Sequence, residues 1–544
     1  MKIIKLLFAV SLIFTLNSCR DMLDTNSSLV AMEDEYVISN ETEATNALNG
    51  IIYECVSVAD RYVLAGELRG DLMTASEFAS SELQDVNRFQ VNSENAFASK
   101  RDYYNIINNC NVLLQKLDTS MVMQNQKVML PCYVWTKTLR SWAYFQLGLT
   151  YGKVNYITEP VLDLFASQKE YPEFSLDDLA SVLIDELKPF VALYADNRHS
   201  SVIPLKLLLG DLYLYKNNYI SAANFYYDEI QSREITVPDN ANRWANTNML
   251  DLASNAHVST YDREAITSIP GMTSVQSNHS QLVNLSYNDK PSIVPSTNYV
   301  RFMSEALYMF TVNSGVVATP SGDLRGNIKN IQAGDAYNYV DIKGFQNCLI
   351  YKYYNGSNVE TGYDPGNGLL VNALYIRSSI PVYRIPHLYL RFAEALNRLG
   401  KPTLAFAVLK YGLTYANVSD PLTHKVNPDE LSDELFRFPQ ASFFDNNRSM
   451  SARGRGDGIP VDTAFFIIPD LPNKQDSINW VEDRILDEMA AETAFEGNRF
   501  FDLLRISRRR DNHPEFMAEK VAAKYQDADA MKTRLMNIDN WFLP

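Results

Sequence analysis

The stretch LLLGDLYLYKNNYISAANFYYDEI, residues 207–230, has the residue spacing of a tetratricopeptide unit. Gly210 and Tyr213 fall in one predicted helix, and Ala222 and Tyr226 fall in the next. The two small residues are twelve positions apart, which lets paired helices approach closely. The stretch therefore predicts a helical pair that belongs to a repeat scaffold.

A second stretch has the same spacing. It is YLRFAEALNRLGKPTLAFAVLKYG, residues 389–412, in which Ala393 and Ala405 are again twelve positions apart. A third, RSWAYFQLGLTYG at 140–152, resembles the first helix of such a unit. Gly210 and Ala393 are separated by 183 positions, so the units are not tandem and a large segment is inserted between them.

The inserted segment, residues 234–380, is rich in Asn, Ser, Thr, Gly and Tyr and has weak helical periodicity. Short β-like pieces at 339–342 and 349–352 are bounded by Gly and Asn. We predict a mainly α fold in one compact unit, a tetratricopeptide-like superhelix carrying a large irregular insert of loops and short strands. The predicted order is helical 41–233, the insert 234–380, helical 381–417, irregular 418–480 and C-terminal helices 481–544, the last helices spanning 482–504 and 514–535.

The N-terminus has the pattern of an export signal. MKIIKLLFAVSLIFTLNSC has two lysines, then an apolar run at 6–16 that is too short to span a bilayer, then a cysteine in a lipobox-like sequence. We predict a signal peptide at 1–18, lipidation of Cys19 and a tether at 19–40. The alternatives are a soluble secreted protein with a chance cysteine, or an uncleaved anchor.

Composition narrows the function further. The chain has 544 residues and a net charge of −16, which disfavours binding to nucleic acid. It has 32 Tyr and 26 Phe, rings that suit sugar faces, peptide chains or simple packing. The six histidines are scattered and no Cys-x-x-Cys occurs, so we predict neither a metal site nor a cofactor. For Cys55, Cys110, Cys132 and Cys348 we expect buried thiols, with up to two disulfides as the alternative.

The sequence RILDEMAAETAFEGNRFFDLLR, residues 484–505, resembles the C-terminal signature of SusD/RagB-type outer-membrane lipoproteins, which has the form ILDERRxEFAFEGxRWFDLxR. Met489 and Ala490 replace the usual basic pair of that signature. The matching residues that we single out are Glu488, Glu492, Glu496, Gly497, Arg499 and Asp502.

Three other stretches resemble the same family, namely residues 140–160, residues 388–400 and the N-terminus at Cys19. The resemblance does not reach the insert. It implies a surface lipoprotein of the outer membrane that binds an oligosaccharide and delivers it to a SusC-like TonB-dependent transporter, without catalysis. The alternatives are a peptide-binding member of the family, and a surface degradative enzyme or adaptor.

The spacing of the charged residues in the signature allows an interpretation that does not depend on the resemblance. On a continuous helix, Glu492, Glu496 and Arg499 would share one face, with Asp502 three residues later. Paired carboxylates raise the alternative of a glycosidase, but carboxylates one turn apart on a helix do not flank a substrate from two sides. We therefore expect a structural set of ion pairs that joins this helix to the insert.

The insert is the predicted ligand-binding part. Flat rings stack on sugar faces while Asn amides bond hydroxyl groups, and the insert combines both residue types. Buried packing is the alternative for each ring. The candidate residues are Trp244, Tyr337, Asn338, Tyr339, Tyr351, Tyr353 and Tyr354.

Overall fold

The computed structural model describes residues 37–193, 202–237, 264–270, 280–286, 288–306, 308–309, 322–323, 325–328, 339–340, 348–350, 352–353, 379–455, 459–460 and 463–544. Helices dominate these residues. They are α1 (Glu41–Glu54), α2 (Val56–Leu68), α3 (Ser81–Asn87), α4 (Arg101–Lys116), α5 (Leu130–Tyr151), α6 (Leu164–Ser167), α7 (Leu176–Leu187), α8 (Leu205–Tyr215), α9 (Tyr219–Ser232), α10 (Leu282–Ser286), α11 (Thr297–Glu305), α12 (Ile385–Arg398), α13 (Pro402–Lys410), α14 (Tyr415–Val418), α15 (Ala452–Arg455), α16 (Lys474–Glu492), α17 (Arg499–Ser507), α18 (Glu515–Ala522) and α19 (Ala528–Leu535).

The described strands are short and form small separate sheets. They are β1 (Met73–Ala75), β2 (Val122–Met123), β3 (Gln126–Lys127), β4 (Lys153–Asn155), β5 (Glu173–Ser175), β6 (Ala265–Pro270), β7 (Ile293–Pro295), β8 (Tyr308–Met309), β9 (Asn327–Ile328), β10 (Tyr339–Val340), β11 (Leu349–Ile350), β12 (Ser379–Arg384) and β13 (Ile459–Pro460). The antiparallel pairs are β1–β7, β2–β3, β4–β5, β6–β12, β8–β13 and β10–β11, and β9 pairs with β10 in parallel.

The scaffold is a stack of neighbouring helices. α4 packs on α5, α5 on α7, α7 on α8 and α8 on α9, and the stack continues through α12 to α13 and α16. The prediction of a mainly α, tetratricopeptide-like fold is confirmed. The small residues act as the spacing predicted, because a Cβ added at Gly210 would lie 2.5 Å from the Tyr226 ring.

Local sequence explains how the second helical pair turns. α12 stops before Gly400, whose φ of +78° lies in the left-handed region that terminates helices at glycine. α13 then begins with Pro402, whose missing N–H costs nothing in the first turn of a helix. The hairpin is closed by the Lys401 N–H, which donates to the Leu396 carbonyl at 3.0 Å.

The insert leaves and rejoins the scaffold at one place. β6, near its start, pairs antiparallel with β12, at its end, with Ile269 opposite Ile380 and Ala265 opposite Arg384. Because β12 runs directly into α12, and α12 packs on α9, the helical stack continues across the inserted segment. The predicted strand pieces near 339 and 349 correspond to β10 and β11.

One cluster of buried apolar side chains extends through the helices of the stack. Cys55, Cys110 and Cys132 are buried and Cys348 is half-buried, and no disulfide joins these four described cysteines. Burial raises the pKa of the Cys55 thiol to about 12. No helix among the described residues is long and apolar enough to cross a membrane.

The C-terminal helices differ from the prediction. The expected helix 482–504 begins earlier, at Lys474, where the Asn473 side chain accepts the Asp476 N–H. It also ends at Glu492, and α17 starts only at Arg499. The expected helix 514–535 is likewise two helices, α18 and α19, with a connection at 523–527.

Candidate functional site

Most of the predicted ligand residues lie outside the described part of the chain. Tyr339 contributes its backbone to β10, and its side chain is not described. Their role in ligand binding therefore stays a prediction. The candidate residues outside the described ranges are Trp244, Tyr337, Asn338, Tyr351 and Tyr354, and the predicted lipidation site Cys19 also falls there.

Tyr353 is described, and it is buried. Its side chain is 5% exposed, and its hydroxyl donates to the Phe495 carbonyl at 2.7 Å. Its neighbour Lys352 donates from Nζ to the carbonyls of Glu492, at 2.9 Å, and Ala494, at 3.0 Å. Both residues of the insert therefore bond to the backbone around Glu496. Tyr353 attaches the insert to this part of the chain, and its buried ring is not available to stack on a ligand.

Lys352 and Tyr353 contact the break between α16 and α17. We call this break, residues 493–498, the signature turn. Phe495 and Gly497 both have positive φ, 67° and 89°, which a right-handed α-helix does not allow. Gly497 also packs against α2 so closely that a Cβ at Gly66 would lie 1.9 Å from its carbonyl oxygen. The turn therefore corrects the expectation that Glu492, Glu496 and Arg499 share one face of a continuous helix.

Glu67 of α2 fixes this turn through backbone hydrogen bonds. Its carboxylate accepts the backbone N–H groups of Gly497 at 2.8 Å and Arg499 at 3.4 Å. Burial raises the pKa of Glu67 to about 7, although these backbone donors oppose the shift. Arg499 in turn forms a two-pronged ion pair with Asp71, at 2.6 and 2.9 Å.

A second set of buried charges surrounds the turn. Arg325, from the insert, lies 2.5 Å from Glu488 and 3.2 Å from Glu492, and bonds Asp323 through two nitrogens at 2.7 and 2.9 Å. Lys352 also forms an ion pair with Glu496. These contacts connect α16 and the signature turn to two separate points of the insert, at Arg325 and at Lys352.

Arg384, the last residue of β12, is the central cation. Its guanidinium bonds Glu496 at 2.7 and 3.0 Å, Glu492 at 3.1 Å and Glu264 at 3.0 Å. Arg453 reaches the same Glu264 at 2.9 Å. We call this set the buried charge cluster, and its members are Glu264, Asp323, Arg325, Lys352, Arg384, Arg453, Glu488, Glu492 and Glu496.

The electrostatics of the cluster keep its two central carboxylates ionised. Burial alone would raise the pKa of Glu492, but Arg453, Arg384 and Arg325 lower it to about 2. Burial would also raise the pKa of Glu496, but the nearby cations Arg384 and Lys352 outweigh this effect. The pKa of Glu496 therefore lies well below its usual range. Each of the two faces cations on more than one side.

This arrangement suits a structural role better than acid–base chemistry. A glycosidase needs one carboxyl group that stays protonated near neutral pH beside the scissile bond, and a second one across from it. Glu492 and Glu496 are buried, ionised and paired with protein cations. Asp502, the last signature acid, is occupied in the same way by Arg505 at 2.8 Å.

Sequence reasoning missed the cationic half of the cluster. Arg325 lies in the insert, where helical periodicity is weak, and Arg384 lies at the start of the predicted helical segment 381–417. Nothing in the local pattern of either residue separates a buried arginine from an exposed one. Arg453 lies in the segment 418–480, which is predicted to be irregular, so no periodicity marks it as a buried residue. The structure buries it against Glu264.

The described surface has clefts of several hundred Å³, and three of them are distinguished by the residues on their walls. One of about 690 Å³ lies where the C-terminal residues 538–544 meet β4 and β5, and one of about 530 Å³ lies between α4 and residues 153–173. A third, of about 450 Å³, lies between α11, α16 and α18. Of the three, only the last includes residues of the insert, with Asn298 and Phe302 of α11 on its wall. No group of three or more potential metal ligands occurs among the described residues.

Comparison with known proteins gives a relative in sequence and several structures with a similar fold. No family model matches the chain. A SusD-like protein of Formosa agariphila is 22% identical over 514 residues, covering 91% of this chain and 89% of that protein.

Solved structures share the fold. A SusD superfamily protein from Bacteroides vulgatus has a TM-score of 0.59 at 13% identity, covering 92% of this chain and 93% of its own. A putative sugar binding protein from the same organism has a TM-score of 0.57 at 17% identity, covering 87% and 88%. A SusD superfamily protein from Bacteroides thetaiotaomicron has a TM-score of 0.56 at 16% identity, covering 89% and 93%.

Proposed function

Since the chain belongs to the SusD/RagB family, we propose that it binds nutrient oligosaccharides at the cell surface and delivers them to a SusC-like TonB-dependent outer-membrane transporter. The observation that carries this proposal is the match to SusD-like proteins along about nine tenths of the chain. Two structures with the same fold are described as a putative sugar binding protein and a SusD-like carbohydrate binding protein.

The charge cluster supports a binding role. It holds the insert at Arg325 and Lys352 against a helical scaffold, and loops fixed on a rigid scaffold are where binding residues concentrate. The same contacts pair the ionised carboxylates of Glu492 and Glu496 with protein cations. These two residues are the strongest candidates in the sequence for catalytic acids. We therefore propose a binder and not an enzyme.

The N-terminal sequence supports the location. A lipid on Cys19 would tether the protein to the outer membrane through residues 19–40, facing the cell exterior. A surface tether leaves the fold free to contact both ligand and transporter.

The ligand is the first property to test. We would screen the purified protein against panels of oligosaccharides and peptides, and measure hits by calorimetry. We expect Trp244→Ala and Tyr339→Ala to weaken oligosaccharide binding about ten-fold each, through a lost stacking contact of about 1–2 kcal/mol. The matched control is Tyr53→Ala, since Tyr53 is an exposed ring of α1, 52% accessible, and lies away from the insert in sequence.

Three results would contradict parts of this proposal. Binding of peptides and not of sugars would favour the peptide-binding alternative. Reproducible release of product from a substrate panel would overturn the binding role. Unchanged affinity in both insert variants would move the site elsewhere, first to the cleft beside Phe302 and then to the loop region 67–97.

A further inference from the structure

An exposed apolar tip projects from the segment between β4 and β5. Leu162, Leu164 and Phe165 are 55%, 75% and 86% exposed, and they lie within four residues of one another. No other four-residue stretch of the described chain exposes three large apolar side chains. We call these three residues the apolar tip. Contiguous apolar exposure of this kind marks interaction sites.

The base of the tip is held firmly. The Tyr104 hydroxyl bonds both the N–H and the carbonyl of Asn155 at 3.0 Å. The Asn108 side chain pairs in the same two-way manner with Val161, at 2.7 and 3.1 Å. Further bonds to this base come from Asn111, which donates to Ile157 and Glu159, and from Tyr144, which pairs with Ile157.

The tip itself is also ordered by local contacts. Asp163 caps α6 by accepting the Ala166 N–H at 2.7 Å, and the Tyr171 hydroxyl donates to the Ala166 carbonyl at 3.1 Å. An ion pair between Glu159 and Lys169 closes the loop. The apolar side chains are therefore presented on a preorganised support, which lowers the conformational entropy that binding would cost.

The charges around the tip discriminate between possible partners. Glu159, Asp163, Glu170 and Glu173 lie close to it in the sequence, and Lys169, which pairs with Glu159, is the one cation between 159 and 173. An anionic lipid surface would repel this acidic rim, and a membrane-docking loop normally carries Lys or Arg beside its apolar residues. A second copy of the chain would bring two acidic rims together, which like-charge repulsion disfavours.

We propose that the apolar tip docks into an apolar pocket rimmed by Lys or Arg on the outward face of the TonB-dependent transporter. This rests on the proposed function, which supplies the partner. Leu164 and Phe165 would fill the pocket and the acidic residues would meet its basic rim, so that the tip fixes one edge of the protein on the transporter.

A photocrosslinker tests the contact directly. Full-length protein with p-benzoyl-phenylalanine in place of Phe165 would be produced in its own cells and irradiated, and the crosslinked products identified by mass spectrometry. The matched control has the same probe at Leu422, which is 92% exposed on the irregular segment after α14. We expect a crosslink to a TonB-dependent transporter from position 165 and none from 422. Crosslinks only to lipid, to a second copy or within the same chain, or no enrichment over 422, would overturn the proposal.

Copurification separates this inference from the proposed function. We expect the double variant Leu164→Ser, Phe165→Ser to retain less than a tenth of the transporter that copurifies with the parent, with an unchanged melting temperature, whereas Leu422→Ser retains all of it. Full retention by the double variant would refute the tip contact and leave the proposed transporter partner standing. Absence of any such transporter from the parent preparation would overturn both.

Discussion

The replacement Glu496→Gln isolates the energetic weight of the buried charge cluster. Glu496 is 1% exposed and bonds Arg384 at 2.7 and 3.0 Å, with Lys352 beside it. The amide has the same shape but no charge, and its NH₂ group would face these donors. Removing one partner of a buried ion pair costs about 3–5 kcal/mol because the other charge stays buried without compensation.

The expected effect on melting follows from chain size. Unfolding entropy near the midpoint is about 2.1 cal/mol/K per residue, or roughly 1 kcal/mol/K for a chain of about 500 residues. Glu496→Gln should therefore lower the melting temperature by about 3–5 °C at pH 7, as measured by circular dichroism. The control Glu305→Gln removes an acid that is 70% exposed and 3.8 Å from Arg301, and it should change the melting temperature by less than about 1 °C.

The pH dependence of this difference provides a second check. The pKa of Glu496 in the folded protein lies well below the ordinary 4.5, so its stabilising contribution is complete above pH 4.5 and is lost as the pH falls towards the folded-state value. The gap between parent and Glu496→Gln should therefore narrow below pH 4.5. A variant that melts with the parent at pH 7, or a gap that does not change in acid, would refute the electrostatic argument.

The remaining predictions concern backbone contact and anchoring. Gly66→Ala should destabilise the protein strongly and lower its urea midpoint, since the added Cβ would lie 1.9 Å from the Gly497 carbonyl oxygen. The control Gly50→Ala, whose Cβ would have nothing within 4 Å, should leave the midpoint equal or slightly higher. Equal midpoints for both variants would show that α2 moves aside without cost. Cys19→Ala should release the protein from membranes into the soluble fraction, and labelled fatty acid that still enters the variant would show that the lipid is attached elsewhere.

The helical scaffold could be predicted because its signals are local. The twelve-residue spacing of Gly210 and Ala222, and of Ala393 and Ala405, encodes helix pairing within a single stretch of about 24 residues. The break after Glu492 could not be predicted in the same way. Residues 493–498 keep a helix-like distribution of apolar and charged residues. The positive φ angles of Phe495 and Gly497 accompany contacts with α2 and the insert, which are distant in sequence.

The candidate site was predictable only in part, for a related reason. Carboxylates recurring at Glu488, Glu492 and Glu496 indicated a charged face that needed partners. The partners Arg325 and Arg384 lie 163 and 112 residues away from the acids that they contact, at Glu488 and Glu496 respectively. A single sequence contains no information that links such positions, because the pairing depends on how the insert folds back onto the scaffold.

The way the insert is attached has a consequence for how such a protein can diversify. β6 and β12 pair near its two ends, and Arg325 and Lys352 attach its middle to α16 and to the signature turn respectively. A descendant that keeps these fixed points can exchange the intervening sequence while the helical scaffold is inherited intact. Under the proposed function, a new ligand specificity would then arise from substitutions or recombination within one segment, with no change to the scaffold.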